Sequence, residues 1–207
     1  MPRTADLLHQ LADEHRDLAA AARSLRQPGR DIGTDAVRRT TASIVEHELA
    51  HRLLVHPLLR RETWGQRILT DRREEQLLLA ERLRRLLAPG RSTITRAGPP
   101  ETRNVDATEI LDLQLTEHTD REEILDFPHL RHVTTFAELS TLGELRGRLG
   151  AVLRQRLEID RTLTEDGRWA TAPRRELAQL VGLDEDIIID LPSVERAIEA
   201  ERAGSSR

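Results

Sequence analysis

One layout occurs twice in this chain, and it leaves little freedom in what the chain can fold into. His47-Glu48-Leu49-Ala50-His51 stands ten residues before Pro57, and His118-Thr119-Asp120-Arg121-Glu122 stands ten residues before Pro128. Setting His47 against His118 also pairs His51 with Glu122, Leu54 with Leu125, Leu59 with Leu130 and Arg60 with Arg131. Residues four apart on a helix are neighbours on one face. Each copy therefore specifies a helix bearing a potential metal ligand, a second ligand one turn on, an apolar turn and a proline bend. Two such helices facing inward in an all-helical bundle can place four ligands around two metal ions.

The rest of the chain continues the helical pattern. Thr4 is placed to cap a first helix whose residues Leu7, Leu8, Leu11, Leu18, Ala22 and Leu25 recur at helical spacing up to Gln27-Pro28-Gly29, with His15 on the same stripe. A second helix is expected from about Asp35 to about Pro57, and a third from about Trp64 to Leu87 with a stripe of Ile68, Glu75, Leu79 and Leu86. Pro89 through Pro100 reads as a long exposed connection. Asp106 and Glu109 have capping-box spacing for a fourth helix that carries Ile110, Leu111, Leu115, His118 and Glu122. Another helical pattern runs from Phe136 to Leu157, and Asp166-Gly167 is placed to end it. The tail offers Thr171-Ala172-Pro173 as a helix start, the apolar cluster Ile187-Ile188-Ile189, and a last short helix from near Pro192-Ser193.

Composition narrows the chemistry. The 207 residues suit one domain with an extension, and two Phe, two Trp and no Tyr leave the core to Leu and Ala, which favour helices. With no cysteine, thiolate metal sites, disulfides and thiol catalysis are excluded, so any metal must take nitrogen and oxygen ligands. All the basic residues are Arg, which removes lysine chemistry and looks like the bias of a GC-rich genome. A net charge of −4 with acid and base interspersed gives no basic stripe for nucleic acid. No apolar run approaches the length of about eighteen residues that a membrane span needs, and the N-terminus lacks a signal-peptide core, so a cytoplasmic protein is expected.

The histidines carry the functional argument. All eight fall within residues 9 to 56 and 118 to 132. His47-Glu48-Leu49-Ala50-His51 alone matches a zinc-protease pattern, with two histidines on one metal and Glu48 activating water. The extended pattern wants Gly where Leu54 stands and His where Pro57 stands, and such proteases hold their peptide along a strand that this sequence hardly offers. The protease reading, with zinc or another divalent ion as the metal, is the weaker one. The echo demotes Glu48 from a catalytic base to a neighbour and gives His118 and Glu122 equal standing with His47 and His51.

Glu14-His15, His47 with Pro57, and His118-x-x-x-Glu122-Glu123-Ile124-Leu125-Asp126-Phe127-Pro128 resemble the hemerythrin-like family, also called HHE cation-binding domains. The resemblance covers about residues 4 to 157. It implies an all-α, up-down four-helix bundle over residues 1–160 enclosing two iron ions, with a C-terminal helical extension over 161–207. Carried over, His15, His47, His118 and Glu122 stand at ligand positions. Two positions depart from the family pattern. His51 stands where the second helix should supply a bridging carboxylate, and the third helix has no histidine, leaving Glu75 as the expected replacement ahead of Glu74 or Asp71. His9, His56, His129 and His132 are expected behind the ligands or at the surface.

The resemblance implies a cytoplasmic bacterial non-haem di-iron protein that binds, senses or reduces O2, peroxide or nitric oxide. If it is an enzyme, it is a di-iron oxidoreductase, and the altered ligands open the alternative of an oxygenase or oxidase acting on a small organic substrate. A metal-poor interaction bundle is a third reading. The expected partner is a small gaseous or peroxide ligand, with no nucleic acid, no membrane and a homodimer as a possible assembly.

Overall fold

The computed structural model describes residues 6–26, 34–88, 107–159, 162–173, 176, 177 and 179. Among them the chain is entirely helical, with no strand and no helix long and apolar enough to cross a membrane. The expected cap Thr4, Asp106, the Pro89–Pro100 connection and everything beyond residue 179 lie outside the described residues.

Helix α1 spans Leu7–Ser24, and its cap is Asp6, whose Oδ1 accepts the backbone N–H of His9 at 2.9 Å. A carboxylate there satisfies one of the unpaired N–H groups of the first turn and suits the positive end of the helix. Helices α2 (Thr34–Ala50) and α5 (Ala107–Arg121) hold the first histidine of each repeat. Between them lies α4 (Thr63–Leu87). Helix α1 packs on α2 and α5, and α4 packs on the same two helices from the other side. Each of the four thus has two neighbours among the others. Their shared core is aliphatic, built from Leu11, Leu18, Ile44, Leu49, Leu79, Leu83, Leu111 and Leu115 among others.

The two prolines shape the helices that precede them. Proline has no N–H to donate, and its ring collides with the carbonyl four residues back. Both α2 and α5 accordingly widen into one π-helical turn before continuing, at His51–Val55 and at Glu122–Asp126. In the first, the N–H of His56 donates to the carbonyl of His51; in the second, the N–H of Phe127 donates to that of Glu122. Short helices α3 (His56–Leu59) and α6 (Phe127–Val133) follow, and pack on each other. The repeat seen in the sequence is therefore a repeat in backbone geometry, down to the irregular turn. Inserted π turns occur disproportionately at functional sites. At the corner between α3 and α4 the chain passes so close that a Cβ on Gly65 would lie 1.8 Å from the Leu59 carbonyl oxygen.

Helix α7 (Phe136–Ile159) lies against α1 and α2. Its start is a capping box in which Thr135 Oγ1 accepts the Glu138 N–H at 3.2 Å and Glu138 Oε2 accepts the Thr135 N–H at 2.5 Å. Helices α8 (Thr162–Glu165) and α9 (Arg168–Thr171) flank Gly167, whose φ of +66° lies in the left-handed region that glycine enters without steric penalty. Both pack on α4. Leu163, Trp169, Ala172 and Leu177 join the same hydrophobic core as the long helices. The extension, as far as it is described, is thus continuous with the core rather than appended to it.

The buried face of α4 differs from the expected stripe. It runs through Gly65, Ile68, Arg72, Gln76, Leu79, Ala80 and Leu83. At 3.6 residues per turn, Glu75 points about 60° away from Arg72 and falls at the edge of that face. Apolar residues alone suggested the stripe, and they hid that two polar side chains occupy its centre.

Candidate metal centre

Seven ionisable side chains meet inside the ring of helices: His15 from α1, His47 and Glu48 from α2, His51 from the first π turn, His118 from α5, and Glu122 and Asp126 from the second π turn. None is more than 4% exposed. Glu122 is the hub. Its Oε2 lies 3.0 Å from Nε2 of His15 and 3.3 Å from Nε2 of His47, and its Oε1 lies 3.2 Å from Nε2 of His118 and 3.4 Å from Nε2 of His51. Four imidazoles on three separate stretches of chain thus turn the same ring nitrogen toward one carboxylate.

The opposite nitrogens are held from behind. Nδ1 of His15 lies 2.8 Å from Glu123 Oε1, Nδ1 of His47 lies 3.0 Å from Glu14 Oε2, and Nδ1 of His118 lies 3.2 Å from Glu75 Oε2. Ionised carboxylates only accept hydrogen bonds, so each of these Nδ1 atoms carries the proton and donates it. A neutral ring so held has its lone pair on Nε2, facing inward. Carboxylates in this position fix ring orientation and raise ligand basicity in metal sites. Glu75, expected as a ligand from the third helix, stands in this outer position, pinned also by Arg72 Nη1 and Arg121 Nη1, each at 2.5 Å. Glu74 and Asp71 do not join the cluster.

Glu48, demoted in the sequence reading, lies at the centre. Its Oε1 is 2.7 Å from His118 Nε2, and its Oε2 accepts from Gln76 Nε2 at 2.7 Å. Asp126 is the residue that sequence reasoning passed over, although it stands one turn beyond Glu122. It receives Arg72 through Nε at 3.2 Å and Nη2 at 3.0 Å. The polar pair Arg72 and Gln76, four apart between Ile68 and Leu79, was the available signal that α4 faces something polar.

Two groups of these residues could hold a metal ion. His47, Glu48, His118 and Glu122 can each offer one donor atom with all four within 4.8 Å of one another, and so can His51, Glu122 and Asp126. Protein nitrogen and oxygen ligands sit about 2.0–2.2 Å from a first-row ion such as zinc, so donors on opposite sides are separated by up to about 4.4 Å. Only a slight tightening separates the first group from that geometry. Glu48 Oε1, His51 Nε2, His118 Nε2 and Glu122 Oε1 are all buried, yet none has a partner in hydrogen-bond alignment, despite the short distances among them. Buried polar atoms nearly always have partners. Donor atoms aimed at a common point, rather than at each other, would account for both the proximity and the misalignment.

The same carboxylates draw protons onto two of the rings. Burial opposes charge on His47, but hydrogen bonds to Glu122 and Glu14 outweigh it and push its pKa up to about 9. Burial likewise opposes charge on His118, and the carboxylates of Glu48 and Glu122 reverse the effect and lift it well above the ordinary value. Burial favours the neutral form of Glu48, yet the neighbouring His118 brings it down to about 2. Burial, joined by the charge of His47, holds His51 down to about 4 against the pull of Glu122. Asp126 moves the other way, up to about 7, because burial and the Glu122 charge outweigh Arg72.

The remaining histidines divide. His56 is buried with its ring 5.5 Å from that of His51, at the position that Phe127 occupies in the second repeat; Phe127 stacks on His15 at 5.7 Å. His129 is also buried, against the Gly65 corner. His9 and His132 are exposed. No family model, curated protein or solved structure matches the chain.

Proposed function

We propose that the chain is a non-haem iron protein, an up-down four-helix bundle of hemerythrin-like design, that binds, senses or reduces O2, peroxide or nitric oxide. The observation that carries this reading is the convergence of four Nε2 atoms on Glu122, three of them backed by a carboxylate on Nδ1. Imidazole and carboxylate together suit iron among the first-row metals, and no soft sulfur donor competes. Bound iron would supply an electron-transferring Lewis acid for a small ligand. The protein's own part is described by its residues. Glu14, Glu75 and Glu123 orient the imidazoles, Gln76 turns Glu48 toward His118, and the aliphatic core excludes water.

A second reading, an oxidase acting on a small polar organic molecule, is favoured by one observation. A cavity of about 270 Å³ between α1, α2 and α7 is lined by Glu14, Glu46, His47, Arg146, Gly150 and Arg154, so it reaches the rim of the site. The zinc-protease alternative fares worse. His47, Glu48 and His51 are all buried, and Glu48 is engaged with His118 and Gln76.

Metal analysis of anaerobically purified protein, with absorption spectra before and after O2 or peroxide, tests the proposal. Bound iron whose visible absorption changes on exposure is expected. Stoichiometric zinc with peptide hydrolysis that disappears in Glu48→Gln would overturn it.

Loading should also move protons. At about pH 7.5 the metal-free protein holds His47 protonated on both nitrogens, because its pKa lies at about 9. Coordination needs the Nε2 lone pair, so that proton must leave. Metal affinity should therefore rise with pH until about 9 and then level off. Calorimetric titration with Fe²⁺ in buffers of different ionisation enthalpy should show net proton release at about pH 7.5, shrinking above pH 9; a buffer-independent heat at neutral pH would contradict it.

A further inference from the structure

We infer that Arg72 takes the place of a second metal cation, so that this site, if it binds metal as proposed above, holds one ion per chain rather than two. The two donor groups share Glu122 but are unlike in everything else. In the first, Glu48 and His118 keep inward-facing atoms free of hydrogen-bond partners, and both histidines have a carboxylate behind Nδ1. In the second, both oxygens of Asp126 already receive the Arg72 guanidinium, at 3.0 and 3.2 Å. His51 lacks the outer support as well, since its buried Nδ1 has no hydrogen-bond partner.

The geometry is the planar fork that guanidinium offers a carboxylate, and arginine keeps its charge at any ordinary pH. Arg72 is itself almost wholly buried, so its charge acts on the site without the screening that water would give. The charges leave room for one ion. Glu48, Glu122 and Asp126 contribute at most three negative charges at the centre, and Arg72 with one divalent ion already contributes three positive ones. A second divalent ion would leave two uncompensated positive charges in a dry interior, an arrangement that proteins avoid. It would also have to take a carboxylate oxygen away from a guanidinium that has few other buried acceptors, Glu75 being the other one it meets. Helix α4 thus answers the missing third-helix histidine with a fixed cation.

The test is anaerobic equilibrium dialysis of the full chain against excess Fe²⁺, and separately against Mn²⁺, with bound metal counted by elemental analysis and the Mn²⁺ form examined by electron paramagnetic resonance. Wild type should saturate at one ion with an isolated, uncoupled Mn²⁺ spectrum. Arg72→Gln, folded by circular dichroism, should rise to two ions with a spin-coupled spectrum, while Arg72→Lys, which keeps the charge, should stay at one. Two ions in wild type would overturn the inference and leave the metal reading intact. A folded Arg72→Gln that stays at one ion would also overturn it. No bound metal in wild type would overturn the metal reading itself, and this inference with it. Should Arg72→Gln fail to fold, the wild-type stoichiometry and spin coupling still decide the matter.

Discussion

Glu122→Gln should abolish metal retention and destabilise the fold by about 3–5 kcal/mol, the cost of leaving a buried ionic network without one partner. Glutamine keeps the shape of glutamate, so no cavity forms and the effect isolates the charge. The wild-type carboxylate meets His15, His47, His51 and His118 through its two oxygens. Each oxygen serves two rings, so no rotamer of the amide can satisfy all four. Where the glutamine NH2 replaces an oxygen, it can only donate, and in either rotamer it then faces His47 or His118, whose inward nitrogens are themselves protonated in the metal-free protein and required as ligands when metal binds. Urea denaturation of metal-free protein reads the first effect, and elemental analysis of the folded variant reads the second. A variant with wild-type midpoint and metal content would remove Glu122 from its place as hub.

Trp169→Ala should cost about 3–5 kcal/mol of stability, comparable to the Glu122 substitution though far from it in kind. Trp169 is fully buried and belongs to the same hydrophobic core as α1, α2, α4 and α5. Its own turn is tied to the first π turn, since Arg52 donates to the carbonyl oxygens of Trp169 and Ala172. The loss should appear as one lowered cooperative unfolding transition. If the segment after residue 160 were an independent appendage, the main transition would stay within about 0.5 kcal/mol of wild type, as surface substitutions usually do. The pair of substitutions therefore separates the polar heart of the molecule from its apolar packing.

Much of this arrangement could be read from the residues. Leucine spacing gave the long helices to within a few residues. The echo of His47 with Pro57 in His118 with Pro128 picked out His47, His51, His118 and Glu122, and the stripe of the first helix with the Glu14-His15 pair added His15; these five do converge. What escaped has physical causes. A count of 3.6 residues per turn assumes a regular helix, and the prolines impose π turns that carry Asp126 inward and set His56 beside His51. Apolar periodicity cannot register a core position filled by a charged or polar residue, so Arg72 and Gln76 drew no notice while Glu75 fell on the expected stripe. Glu48 lost its standing because the echo repeats His47 and the position one turn on but sets Thr119, which is no match for a carboxylate, opposite Glu48. Its role is visible only from the other helices, where His118 and Gln76 reach for its two oxygens.

Removing the α5 histidine tests the buried centre most directly. His118 links the two halves of the repeat, through Nε2 to Glu48 and Glu122 and through Nδ1 to Glu75. Metal content of anaerobically purified wild type and of folded His118→Ala, measured side by side, should show stoichiometric iron in the first and less than about a tenth of it in the second, the scale of loss expected when a site loses a ligand together with its outer carboxylate support. Full iron in His118→Ala would contradict the duplicated site, and a wild type without stoichiometric metal would contradict the metal centre altogether.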